Sequence, residues 1–76
     1  MTITIEDLTP IFREIFENND LIISLSTQAK DIVEWDSLNH IYLVVAIEKR
    51  FNIKFTAKQI QQWGCVGDVL NDLNKL

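Results

Sequence analysis

Trp35-Asp36-Ser37-Leu38-Asn39-His40-Ile41-Tyr42-Leu43-Val44-Val45-Ala46-Ile47-Glu48-Lys49-Arg50-Phe51 is the stretch whose reading decides the fold. Asp36 is a favoured N-cap type, and Lys49 and Arg50 suit the negative end of a helix. The run therefore predicts a helix from Ser37 to Phe51 that stops at Asn52. At about 100° per residue, Leu43, Val44, Ile47 and Phe51 share one stripe, while Leu38, Ile41, Tyr42 and Val45 form another, roughly opposite. A surface helix of a small globular domain needs one such stripe. With 76 residues there is little to bury both against, so the second stripe is expected to face water at least in part and to act as a docking face beginning beside Ser37. The competing expectation is that the preceding loop, itself rich in Ile, Leu and Val, covers it.

Working outward, residues 21 to 36 form a long connection that is not an ordinary polar loop. Leu21, Ile22, Ile23, Leu25, Ile32, Val33 and Trp35 are apolar, so it is expected to lie over the helices and close the core, with a helical turn around Gln28 to Asp31. Upstream, Ile5, Leu8, Ile11, Phe12, Ile15 and Phe16 recur at helical spacing. Thr4 and Asp7 have the form of a capping box, which places Pro10 near the end of the first turn or just inside the helix. A start at Asp7 would instead keep Pro10 in the first turn, where no hydrogen bond is lost. Asn18-Asn19-Asp20 reads as its stop. Downstream, Ile53-Lys54-Phe55 is extended, Thr56 caps a short helix through about Trp63, and Gly64 breaks it. Val66, Val69, Leu70 and Leu73 give a last helix from about Val66 to Leu73. The expected fold is all-α, a four-helix bundle with three main helices, one short helix and a long first loop.

Composition narrows the function. A single domain over 1–76 is expected. Cys65 is the only cysteine, so disulfides are excluded, and no internal metal cage is expected because His40 and Cys65 are the only soft ligands and lie far apart in sequence. The apolar content of 47 % must stabilise the core. A formal net charge of −4 argues against a nucleic-acid footprint. Met1-Thr2-Ile3-Thr4-Ile5-Glu6 lacks a basic start and a long apolar run, and no segment reaches membrane-spanning length. A reduced, cytoplasmic setting is expected. The Met1 start and the compact end at Leu76 favour a free-standing domain, and a monomer is expected.

Asp36-Ser37 alone is explained by capping, although two residues of capping type stand where one suffices. Ser37 and His40, at i and i+3, could touch, but a nucleophilic pair needs an orienting group and an oxyanion hole, and neither is visible. No catalytic residue is expected. Trp35 and Trp63 read as core or core-edge anchors, Cys65 as a small buried apolar residue, and Glu6, Asp7, Glu14 and Glu17 as the wet face of the first helix.

The register around Ser37 adds more. Trp35-Asp36-Ser37-Leu38, followed by Ile41, Leu43, Val44, Ala46, Ile47-Glu48 and Phe51-Asn52-Ile53, resembles the acyl carrier protein family. That likeness extends over the first helix, the long loop, the short helix from Thr56 and the Val66-Gly67-Asp68 opening of the last helix. It implies that Ser37 is the attachment site for 4'-phosphopantetheine, transferred from coenzyme A by a phosphopantetheinyl transferase that supplies the Mg2+ and the base. The implied partners are that transferase, an acyl- or aminoacyl-loading ligase, and a downstream transferase or synthase. Asp36 would orient the serine for the transferase and Leu38 would pack on its surface, with Ile41, Tyr42, Val45 and Glu48 completing the recognition face. Members serving fatty-acid synthesis are usually acidic along this helix. Here the face offers Asn39, Tyr42, Val45 and Lys49, with Glu48 the main acid, and Glu34 replaces the usual glycine before the motif. The resemblance therefore implies a specialised pathway: polyketide or nonribosomal peptide assembly, aminoacyl transfer, or acyl modification of a sugar or polymer. The alternative without the arm is a noncatalytic helical interaction module docking through Leu38, Ile41, Tyr42 and Val45.

Overall fold

Local capping chemistry sets the helix boundaries. Helix α1 spans Ile5–Ile15 in the computed structural model, which describes residues 2–75. Met1 and Leu76, on which the free-standing expectation rested, lie outside the described residues. The Asp7 carboxylate accepts from the Thr4 N–H at 2.9 Å, so the helix begins after Thr4, not at Asp7. Pro10 consequently lies inside it, where its missing N–H costs a hydrogen bond. The far end comes earlier than the Asn18 stop. Glu17 adopts a left-handed φ of 52°, and the Asn18 N–H reaches back to Arg13 O at 3.0 Å. That pair of features is a Schellman turn made without glycine.

Helix α2 spans Ser37–Phe51, with Asn52 left-handed at φ 54° and the Ile53 N–H bonded to Glu48 O at 3.0 Å. Helix α3, Ala57–Gln62, starts in a full capping box: Gln59 N–H to Thr56 Oγ1 at 3.1 Å, and Thr56 N–H to Gln59 Oε1 at 2.9 Å. Helix α4, Val66–Lys75, runs two residues beyond the expected Leu73. A 3-10 turn occupies Ala29–Asp31, where a helical turn was expected. The described residues hold no strand, and Ile53–Phe55 is extended without pairing. The fold is all-α, as the periodicity indicates.

One core unites the four helices. Leu8, Phe12, Leu43, Ile47, Val66 and Val69 are fully buried at its centre. Phe12 meets Phe16 and Trp35 edge-on, with centroids 5.7 and 5.5 Å apart. Phe55 meets Trp63 at 4.8 Å, and the Trp63 indole N–H donates to Asp72 at 2.7 Å, so both tryptophans are core-edge anchors. Cys65 is half-buried, a correction to the buried position expected, because it sits at the turn into α4.

The long loop is pinned more than it covers. Ile23 and Ile32 are buried and Leu21 and Trp35 half-buried. The start of α4 donates its Val66 and Gly67 N–H groups to Thr27 O and Leu25 O, both at 2.8 Å, which satisfies two donors that a helix start leaves orphaned. A Cβ on Gly67 would lie 2.8 Å from Leu25 O, so this approach requires glycine. Ile22, Leu25 and Val33, the last 96 % exposed, point away from the core, which corrects the expectation that the loop's apolar residues close it.

Candidate functional site

Ser37 is the first residue of α2 and is exposed. Four contacts hold the backbone that delivers it. The Asn39 N–H donates to Asp36 Oδ1 at 2.8 Å, the N-cap contact. The Asn39 side-chain amide donates to Glu34 O at 2.8 Å. The Trp35 indole N–H donates to His40 Nδ1 at 3.0 Å, and the Trp35 N–H to Ile32 O at 3.1 Å. The loop is thus tied to the first turn of α2 on both sides of the serine. The N–H groups of Ser37 and Leu38 have no acceptor within the helix, so together with the helix dipole they make this corner favourable to an anion.

Beside the serine lies a shallow hollow of about 300 Å³ lined by Ala29, Trp35, Asp36, Ser37 and His40. His40 is half-buried at the loop-facing flank of α2, and burial lowers its imidazole below the ordinary value. Since Nδ1 accepts from Trp35, the neutral ring carries its proton on Nε2. Nδ1 is thereby committed to the indole, and Ser37 is given no general base by this contact.

The two stripes of α2 separate cleanly. Leu43, Val44 and Ile47 are buried. Leu38 is 59 % exposed, Ile41 58 %, Tyr42 52 % and Val45 41 %, so the loop does not cover them. Glu48, expected on the recognition face, is half-buried, and its Oε2 accepts from the Phe55 N–H at 2.8 Å. One of its two oxygens is therefore engaged in fixing the segment after α2. Val33, four positions before the serine, is an exposed apolar residue that periodicity could not assign, because loop residues have no period to read. The Trp35–His40 and Asn39–Glu34 contacts likewise bridge a loop and a helix turn, and nothing in their sequence spacing announces them.

Among the described residues no group of three His, Cys, Asp or Glu side chains could hold a metal ion. No described helix is long and apolar enough to cross a membrane.

An exposed serine opening the second helix of a four-helix domain, with a wet apolar strip behind it, defines a carrier-type architecture. The solution NMR structure of a holo acyl carrier protein from Geobacter metallireducens has the same fold, with a TM-score of 0.90 and 39 % sequence identity over 95 % of this chain and 83 % of that one. The chain belongs to the acyl carrier protein family and is a carrier, not a catalyst. No protein-family model matches the sequence, and no curated protein does.

Proposed function

We propose that this domain holds acyl or aminoacyl groups as thioesters on a 4'-phosphopantetheine arm joined to Ser37 and presents them to partner enzymes. The observation that carries this reading is the exposed Ser37 hydroxyl at the positive end of α2, on backbone braced by the Asp36, Asn39 and Trp35 contacts. A phosphodiester at that oxygen would lie where backbone N–H groups and the helix dipole favour an anion. The relative's description as a holo carrier supports the same group here. When bound, the arm supplies the thiol that carries the cargo and the reach to deliver it. The protein's residues do the rest. Asp36 caps α2 and holds the serine in register for the modifying enzyme. Leu38, Ile41, Tyr42 and Val45 offer the strip on which a transferase, a loading ligase and a downstream synthase dock.

Glu48 belongs to that face through its remaining carboxylate surface. The scarcity of acids along α2 favours a specialised biosynthetic pathway over fatty-acid synthesis, and a monomeric, cytoplasmic carrier forms part of the same reading. Incubation with coenzyme A, Mg2+ and a broad-specificity phosphopantetheinyl transferase should raise the intact mass by one phosphopantetheine, and Ser37→Ala should abolish the gain. An unchanged wild-type mass with several transferases would leave the plain interaction module as the better description.

A further inference from the structure

A second hollow, of about 390 Å³, lies at the opposite end of α2, lined by Val45, Glu48, Lys49, Asn52, Ile53 and Lys54. By helical spacing Lys49 continues the strip of Leu38, Tyr42 and Val45, eleven positions after Leu38 and on the same side of the helix. From Ser37 to Lys49 the helix rises roughly 18 Å. The ends of the strip differ in charge: Glu34 and Asp36 stand at the serine end, while Lys49 and Lys54 outnumber Glu48 around this hollow.

Lysine in the last turn of a helix suits the dipole, and that accounts for Lys49 and Arg50. It does not account for Lys54, which lies beyond α2 in the extended segment, nor for the apolar Val45 and Ile53 that share the hollow with the two cations. Lys49 also borders a groove between α1 and α2 that contains Asp7 and Glu14. Lys54 does not, so it faces the second hollow without those acids. Within the hollow Glu48 is the acid, and its Oε2 is committed to the Phe55 N–H.

We propose that this hollow is the far anchor of the docking strip and accepts a carboxylate set beside an aliphatic side chain on a partner protein. The partner chemistry follows from complementarity. An acid meets Lys49 and Lys54, an aliphatic group meets Val45 and Ile53, and a basic group meets Asp36 and Glu34 at the serine end. A partner surface that is basic along its whole length would match only the serine end and be repelled at the other, so the strip fixes both the choice and the direction of docking. This inference deepens the carrier reading and rests on it for the partner's purpose, but its binding chemistry does not involve the arm.

The test is a titration of the 15N-labelled Ser37→Ala chain with a helical peptide bearing Leu and Glu along one face, followed by amide spectra. Saturable shifts are expected at Val45, Lys49, Asn52, Ile53 and Lys54. Lys49→Glu with Lys54→Glu should weaken the peptide by about tenfold, and the same peptide with Lys in place of Glu should not saturate. Should the double variant not fold, Lys54→Glu alone, outside α2, carries the comparison. The proposal is overturned by the absence of saturable shifts, by equal binding of the Lys peptide, or by affinity unchanged in the variant. Because the Ser37→Ala chain cannot carry the arm, the outcome is independent of the mass test for loading, and either reading can fail alone.

Discussion

The two faces of α2 are equally apolar in sequence and opposite in fate. Leu43, Val44 and Ile47 vanish into the core, while Leu38, Ile41, Tyr42 and Val45 stay in water. Both stripes have helical period, so hydrophobicity alone does not distinguish them. What does is supply: α1 packs along one side of α2, whose residues join the shared core, and the long loop is spent elsewhere. Its backbone is engaged by the start of α4 through Thr27 O and Leu25 O, and its Ile23 and Ile32 fill the core edge. The uncovered stripe is the one that begins at the serine. One face of this helix holds the fold together and the other stays in water, so substitutions on the two faces should have separable consequences.

The largest effect belongs to the buried face. Leu43→Ala should destabilise the domain by about 2–5 kcal/mol, since it removes a fully buried side chain and leaves a cavity. Urea unfolding followed by circular dichroism measures it. A cost below that of a surface substitution would mean the faces are not distinct.

The hinge between the faces comes next. Asp36→Ala removes the N-cap contact to the Asn39 N–H and should cost about 1 kcal/mol. Asp36→Asn, which keeps an oxygen acceptor, should recover most of it. If the asparagine variant is as unstable as the alanine one, the cap is not what stabilises this turn.

A smaller effect is pH-dependent. Burial lowers the folded-state value of His40, so between that value and the unfolded one, about 6.5, the unfolded chain binds the extra proton. Stability from neutral His40 is thus fully present above about pH 6.5 and is lost as pH falls through the folded value. Protonation also turns Nδ1 into a donor and breaks the Trp35 bond. The melting temperature of wild type minus that of His40→Gln should fall across this window. A constant difference would show that His40 does not titrate with folding.

The exposed face should move stability least. Tyr42→Glu is expected to stay within about 0.5 kcal/mol of wild type, as surface substitutions usually do, while slowing modification or loading by partner enzymes. Unfolding of this variant would place Tyr42 in the core and erase the contrast between the stripes.

Periodic elements and caps were open to reading from sequence, because both depend on local residues. The Ser37–Phe51 helix, its Asp36 cap, the Thr56 cap and the buried faces of α1 and α4 all follow from spacing and side-chain chemistry. Details that depend on distant backbone did not. The early end of α1 needs Glu17 in a conformation that glycine usually supplies. Ile22, Leu25 and Val33 point outward in a loop whose Leu25 and Thr27 carbonyls are engaged by the start of α4, an arrangement that side-chain patterns do not encode. Around the serine, Asp36 and Ser37 were legible as cap and helix start. The Trp35–His40 clasp and the Glu48–Phe55 bond appear only when loop and helix are folded together.

The most direct measurement is fragmentation mass spectrometry of the chain after treatment with coenzyme A, Mg2+ and a phosphopantetheinyl transferase. The sequence has serines at 24, 26 and 37, and the first two share a hydrogen bond at 3.2 Å in the loop, away from any helix start. The carrier reading predicts one phosphopantetheine, located on Ser37. An adduct on Ser24 or Ser26, or a fully unmodified chain, contradicts it.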